Sequence, residues 1–289
     1  MDDVAVVIPA FNPGLYLRDA LDSVLAQSYA RWSAIVVDDG STEELSYVET
    51  LDSRIVLLRQ HNAGLSAARN AGIRATSAPL IAFLDADDLW LPLKLEHQVA
   101  AMAAGGAVLC STDLEIIDAT GGRIGPGYGG ANSYIDLLEG CGLCVSTVMV
   151  QRDALDRVGL FDLRYQQAQD WDLWLRLARI GSLARCDEVL VQYRTHSSNM
   201  SRNYKRLFNE GTTILRDQAA ATREPGARAT AHRGIRNLRR LAGAQAFDVF
   251  RERHHPFDLA CALRFSPRQT VSQMRRFVTS RIPIGRRRS

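Results

Sequence analysis

The architecture turns on one stretch: Ile81-Ala82-Phe83-Leu84-Asp85-Ala86-Asp87-Asp88-Leu89-Trp90. Four apolar residues of strand length run straight into three carboxylates. A strand that is apolar throughout is covered on both faces, which is the habit of parallel sheets rather than of antiparallel ones. Working outward, the same signature recurs at Val4–Pro9, Ala34–Val37, Ile55–Leu58 and Ala107–Cys110, with Leu80–Leu84 fourth in order. Helical patterns separate these runs. Leu17, Leu21, Val24 and Leu25 fall at helical spacing, with Asn12 and Pro13 reading as an N-cap and first helical residue. Gly64–Thr76 is alanine-rich and helical, and Pro92 opens a helix carrying Leu93, Leu95, Val99 and Met102. Strand and helix in alternation predict an α/β domain with a Rossmann-like, mostly parallel sheet flanked by helices. Ligands of such sheets lie beyond the carboxyl ends of the strands. Three polar clusters stand there: Pro9–Asn12, Asp38–Ser41 and Asp85–Asp88.

Gly121–Gly142 reads as a long glycine-rich loop around a short helix at Tyr134–Leu138. Val145–Val150 reads as a strand, Asp153–Val158 as a short helix, Asp170–Ile180 as a helix with a broad apolar face, and Leu183–Tyr193 as a strand. Beyond residue 203 the pattern is helical. The expected division is therefore 1–202 and 203–289, with a basic tail over 259–289.

Composition narrows the classes. In 289 residues, 46% are apolar and 23% charged, which excludes a disordered, collagenous or disulfide-scaffold chain. The longest stretch without Asp, Glu, Lys or Arg, His97–Thr112, is shorter than the roughly 20 apolar residues that span a bilayer. Met1-Asp2-Asp3 is acidic and runs directly into Val4–Ile8, so the N-terminus reads as a strand and not an export signal. The 5 cysteines suit a reducing, cytoplasmic setting. Cys141 and Cys144 form a lone CxxC without partners at zinc spacing, and read as small packed residues. All 32 acidic residues lie at or before Asp258, while 259–289 carry eight arginines: 264, 268, 275, 276, 281, 286, 287 and 288. Such a block can hold anionic lipid headgroups or nucleic acid, and the bland alternative is a solvated, partly disordered tail. Packing on the catalytic domain or homodimer formation are the alternatives for the C-terminal region.

Several residues have chemistry in reach. The carboxylates of Asp85-Ala86-Asp87-Asp88 suit a divalent cation bridging to a diphosphate; the bland alternative is a polar turn with an aspartate N-cap. Asp38-Asp39-Gly40-Ser41 can accept from a nucleobase N–H, or serve only as a turn. Arg69 can neutralise phosphate or sit on a helix surface. Asp170 can act as a general base or cap its helix. His196 can ligate a metal or be a loop histidine.

In order, the chain carries VVIPAFN (6–12), SVLAQSY (23–29), IVVDDGST (35–42), HNAGLSAARNAGI (61–73), IAFLDADDLW (81–90), QDWDLWLRLA (169–178) and YRTHSSNMS (193–201). This set resembles the family-2 glycosyltransferases of the GT-A fold over residues 4–201. The resemblance implies an inverting transfer from a nucleotide-diphosphosugar, a UDP-sugar first, to a glycan, lipid-linked or small-molecule acceptor, with Mn²⁺ or Mg²⁺. It implies that Pro9, Ala10 and Phe11 line the nucleoside pocket, that Asp39 binds the base with Asp38 in support, and that Arg69 lies near the nucleotide. Asp85 and Ala86 would lie by the ribose or sugar, Asp87 would ligate the metal with His196 as a further contact, and Asp170 would be the catalytic base. One departure stands out: the base is often preceded by Glu, and here by Gln169.

Two other readings are weaker. A nucleotidyltransferase would open with a glycine- and arginine-rich loop, yet no basic residue precedes Arg18. A nucleotide-sugar-binding protein without transfer would lack Asp170 or the carboxylate run. Nucleic acid is not expected as a partner, because no stacking platform accompanies the basic tail. Placement at the inner face of a membrane, in polysaccharide or cell-envelope synthesis, is the expected setting.

Overall fold

The computed structural model describes residues 3–127, 129–196, 199, 203–253 and 256–281. Ser197, Ser198, Met200 and Ser201 of the last matched block lie outside the described residues. So do Arg286, Arg287, Arg288 and the side chains of Arg275, Arg276 and Arg281, hence most of the basic tail.

Nine described strands form one sheet: β1 (Val4–Ala10), β2 (Trp32–Asp38), β3 (Ile55–Arg59), β4 (Leu80–Phe83), β5 (Leu89–Trp90), β6 (Leu109–Ile117), β7 (Arg123–Pro126), β8 (Met149–Gln151) and β9 (Leu183–Arg194). Their order is β3-β2-β1-β4-β8-β6-β9-β5, with β7 on β6. The pairings of β1 with β2 and β4, of β2 with β3 and of β6 with β9 are parallel. Strand β8 runs antiparallel between β4 and β6.

The helices of this part are α1 (Tyr16–Leu25), α2 (Leu65–Arg74), α3 (Lys94–Gly105), α4 (Tyr134–Glu139), α5 (Arg152–Val158) and α6 (Gln169–Ala178). Every residue of β1 is buried, and its side chains alternate between two helical layers. Val4, Val6 and Ile8 join one core with Leu17, Leu21 and Val24 of α1 and Leu95 and Met102 of α3. Val7 faces the other way, against α2. A Cβ at Gly72 would stand 2.5 Å from Val7 Cγ1, so the missing side chain is what lets α2 lie on the sheet.

The chain divides into two compact units, one through residue 199 and one from residue 200. The second holds α7 (Tyr204–Ala221), α8 (Ala227–Arg253), α9 (Pro256–Phe265) and α10 (Pro267–Arg281). Tyr204, Ala242, Ala246, Phe247 and Ala262 form its small apolar core.

Local departures from the sequence pattern have physical reasons. Asn12 does not cap α1, which begins at Tyr16. It sits at φ 45°, a left-handed conformation that asparagine tolerates. Its Oδ1 accepts from Thr42 N (2.8 Å) and its own N–H donates to Ser41 Oγ (2.9 Å), tying the end of β1 to the end of β2. The apolar run Val145–Val150 breaks into a 3₁₀ turn, Val145–Thr147, before β8. The glycine-rich loop contains β7, paired with β6.

Candidate active site

The carboxyl ends of β1, β2 and β4 lie side by side, and three of the expected clusters meet there. Pro9 and Ala10 close β1, both buried, with Ala10 opposite Asp38 of β2. Phe11 follows, 55% exposed. Asp38 accepts from Ser41 N (2.8 Å), closing the turn after β2. Asp39 is nearly buried and organises the next loop: Oδ1 accepts from Gln60 Nε2 (2.7 Å) and Ala63 N (2.8 Å), Oδ2 from Gly64 N (2.8 Å). A carboxylate has about four acceptor sites, so one remains on Oδ2. Gly40 makes the approach possible. It sits at φ +80°, and a Cβ there would meet Asn62 N at 2.8 Å.

Arg69 comes from α2. Its side chain is 2% exposed, and Nη2 donates to Asp85 Oδ1 at 2.6 Å. Its guanidinium lies 5.3 Å from the centre of the Phe161 ring. Nε and Nη1 have no hydrogen-bond partner among the described residues. A buried guanidinium with two uncommitted donors is costly unless an anion uses them.

Asp85, Ala86 and Asp87 form the turn after β4. Ala86 packs against the core, while the flanking carboxylates are 28% and 29% exposed. Asp87 Oδ2 stands 2.8 Å from His196 Nε2. Burial pushes the Asp87 carboxyl up, and the charge of Asp85 adds to this, against the opposing pull of His196. The imidazole stacks on Tyr16 with centroids 5.3 Å apart. Among the described residues no three carboxylates, imidazoles or thiols converge as a complete cation cage. The pair Asp87–His196 offers one oxygen and one nitrogen donor face to face. That donor set fits a divalent cation whose remaining ligands are phosphate oxygens and water.

Asp170 is the second residue of α6, not its cap, which is Ala168. Its Oδ1 accepts from Trp171 N at 2.8 Å. Burial pushes its carboxyl up to about 6, the charge of Asp85 adds to this, and Arg69 opposes it. Asp170 therefore shares one electrostatic environment with Arg69 and Asp85, although it lies 85 residues further along the chain than Asp85. Aromatic packing brings it there. Trp174 of α6 packs on Phe83 of β4 (6.0 Å) and on Phe161 (6.2 Å), and Phe161 meets Phe83 edge-on at 5.3 Å. Trp171 Nε1 donates to Leu137 O (2.7 Å). Trp174 thus anchors α6 against β4, two residues before Asp85, and Trp171 ties the same helix to α4. Gln169 is 5% exposed, and its Oε1 has no partner among the described residues.

Arg194, at the end of β9, was not singled out from sequence. It is 3% exposed, and Nε donates to Asp87 O (2.9 Å) while Nη2 reaches Asp19 Oδ2 (3.2 Å). Its place two residues before His196 was the available signal. The cysteines are all free, including Cys141 and Cys144.

Comparison with known proteins bears on the family and the fold. The family model described as "Glycosyl transferase family 2" matches residues 5–159. The chain is 32% identical over 227 residues to the UDP-Glc:alpha-D-GlcNAc-diphosphoundecaprenol beta-1,3-glucosyltransferase WfgD of Escherichia coli, covering 75% of this chain and 87% of that one. It is 31% identical over 208 residues to the putative teichuronic acid biosynthesis glycosyltransferase TuaG of Bacillus subtilis (strain 168), covering 69% and 82%. Among solved structures, S. aureus TarS 1-349 superposes with a TM-score of 0.68 at 14% identity, covering 93% of this chain and 82% of that one. The mannosyltransferase PcManGT from Pyrobaculum calidifontis, in complex with GDP-Man and Mn2+, gives 0.65 at 16%, covering 96% and 85%. These two likenesses concern the fold, which is the expected GT-A arrangement. With a family model matched over more than half its length and a relative similar along most of both chains, this chain belongs to glycosyl transferase family 2 and is a glycosyltransferase.

Proposed function

We propose that the chain transfers a sugar, with inversion, from a UDP-sugar to an acceptor hydroxyl in the synthesis of a cell-envelope glycan. The observation that carries this is the half-buried carboxylate of Asp170, raised to about 6 and set in the same charge cluster as Arg69 and Asp85. A base with that affinity is ionised at neutral pH yet accepts a proton far better than an exposed aspartate.

Position supports a role for each residue. Asp39 receives the base N–H at its remaining acceptor site, beside Pro9, Ala10 and Phe11, with Asp38 holding the turn. Arg69 points its two free donors at the diphosphate, and Asp85 and Ala86 border the ribose and sugar. Asp87 and His196 hold Mn²⁺ or Mg²⁺; when bound, the cation offsets negative charge on the leaving diphosphate. Asp170 takes the acceptor proton as the acceptor oxygen bonds to the anomeric carbon. The bond from that carbon to the β-phosphate oxygen breaks on the opposite face, and UDP leaves. In-line displacement of this kind inverts the anomeric centre.

WfgD, by its name, uses a diphosphoundecaprenol-linked acceptor, and TuaG is named for teichuronic acid biosynthesis. A lipid-linked acceptor is accordingly the first candidate here. Among the described residues no helix is long and apolar enough to cross a membrane. The enzyme would then meet such an acceptor peripherally, from the cytoplasmic side. In this reading residues 1–202 are the catalytic domain, and the C-terminal region 203–289, helical over its described residues, docks the enzyme with its basic tail.

The test is a panel of UDP-, GDP- and dTDP-sugars with Mn²⁺, read by thermal shift and by nucleotide release on adding acceptor extract. A UDP-sugar should raise the melting temperature and be consumed by the wild type. D170N should keep the shift and lose the consumption. Stabilisation by nucleotide sugars without any transfer, given every acceptor class, would favour a binding protein instead.

A further inference from the structure

Asp88, the third carboxylate of the run, behaves unlike its neighbours. It is 0% exposed, and both oxygens are occupied by protein. Oδ2 accepts from Ser146 Oγ and Oδ1 from Arg194 N at 2.9 Å. Ser146 Oγ in turn accepts from Asp85 N at 3.1 Å. Arg194 carries the other half of the connection, since its Nε donates to Asp87 O at 2.9 Å. No guanidinium or ammonium pairs directly with the Asp88 carboxylate among the described residues; the Arg194 side chain is committed to Asp87 O, Ala119 O and Asp19. Burying a carboxylate without an ion-pair partner is expensive, and it is kept where its bonds fix a geometry.

The geometry it fixes joins three segments far apart in sequence: the 85–88 turn, the 3₁₀ turn at Ser146, and the end of β9. Two residues beyond Arg194 comes His196, and one residue before Asp88 comes Asp87. The 2.8 Å approach of Asp87 to His196 therefore depends on how β9 is pinned to the turn. Tyr16 supports the same arrangement from α1, stacking on His196 while the Arg194 guanidinium lies 4.7 Å from its ring centre.

We propose that Asp88 is a positioning residue. It does not ligate the cation; it bolts the strand that delivers His196 onto the turn that delivers Asp87, so that both donors face one point. This rests on the reading that Asp87 and His196 hold a divalent cation against the donor diphosphate. Removing an outer residue that orients metal ligands commonly costs about 10- to 100-fold in metal affinity.

The bond pattern sets the variants. D88N keeps an oxygen for Arg194 N, and its amide can donate to Ser146 Oγ, which still has room to accept from Asp85 N. D88A breaks both bonds. Calorimetric titration of the whole chain with UDP, in Mn²⁺ and in EDTA, reads the effect without turnover. In the wild type Mn²⁺ should tighten UDP binding. In D88A that gain should shrink by about tenfold or more, while UDP affinity in EDTA stays within about threefold. D88N should recover most of the gain. Wild-type gain in D88A, or D88N failing as badly as D88A, would overturn the proposal while leaving the cation reading intact. Absence of any Mn²⁺ gain in the wild type would remove the cation reading and this role together. Should D88A fail to fold, S146A removes the hydroxyl between Asp88 and Asp85 N. A smaller loss of the same gain supports the strut, and an unchanged gain contradicts it.

Discussion

Arg69 Nη2 and Asp85 Oδ1 stand 2.6 Å apart, and the same guanidinium is the main counterweight to the burial that raises Asp170. One buried cation therefore acts on two carboxylates, to which the proposed mechanism gives different tasks. R69Q should weaken UDP binding, because two free N–H donors leave the diphosphate site. R69K should not restore it, since a lysine cannot present the planar fork. Titration of UDP against the three proteins checks this, with a loss of about 1.5–3 kcal/mol expected for R69Q.

The acid limb of the pH profile follows from Asp170. A proposed base at Asp170 would work ionised, so kcat/KM should fall about tenfold per unit as pH drops below about 6. Arg69 opposes the rise in affinity for the proton, so R69Q should move the inflection to higher pH. An unmoved inflection would detach Asp170 from this limb. D170N should lower kcat by about three orders of magnitude or more and leave UDP affinity within about twofold.

Stability gives an independent check on the same residue. A carboxyl at about 6 folded and near 3.8 unfolded holds its proton longer in the native state. Between those values stability falls as pH rises, and above about 6 the full cost is present. Allowing for its partly open rim, that cost is about 1–3 kcal/mol. D170N should therefore melt a few degrees higher than wild type at pH 8, with the gap closing below about pH 4. A melting difference independent of pH would contradict the shift.

Trp174 is the packing link between the helix that carries Asp170 and the strand that ends at Asp85. W174A removes a fully buried side chain from the Phe83–Phe161 contact and should cost about 3–5 kcal/mol. W174F should retain most of the stability and more of the turnover, measured by denaturant unfolding and by transfer rate.

Gly72 tests the sheet–helix approach. G72A places a methyl 2.5 Å from Val7 Cγ1 and should destabilise by about 1–3 kcal/mol. V7A in the same chain should return part of that loss, a coupling read from a double-mutant cycle.

Much of this was legible in the sequence where one physical rule dominated. The runs of β1, β2 and β4 are apolar throughout, so their burial on both faces was readable, and with it the placing of Asp39 and Asp85; β3 is equally apolar but lies at the sheet edge, where only one face is covered and Val56 is exposed. Strand β6 was seen only to Cys110, because Asp113 and Glu115 interrupt the pattern; its continuation is held by the parallel partner β9. Strand β5 is two residues long and exists through Gln192 and Val191 opposite it. Asn12 read as a cap because its side chain suits capping, yet Ser41 and Thr42, on another loop, claim it. The meeting of Asp170 with Asp85 follows from Trp174, Phe83 and Phe161, a contact between distant segments that no local pattern encodes. The bonds of Asp88 are equally nonlocal: nothing near it in sequence marks Ser146 or Arg194 N as its partners.

The most direct measurement is diffraction at the manganese edge from crystals of the whole chain grown with UDP and Mn²⁺. One anomalous peak is expected against Asp87 and His196, with uracil beside Asp39 and the Asp170 carboxylate facing the diphosphate across an open acceptor space. A peak away from Asp87, or UDP bound where Asp170 cannot face it, would contradict the proposed mechanism.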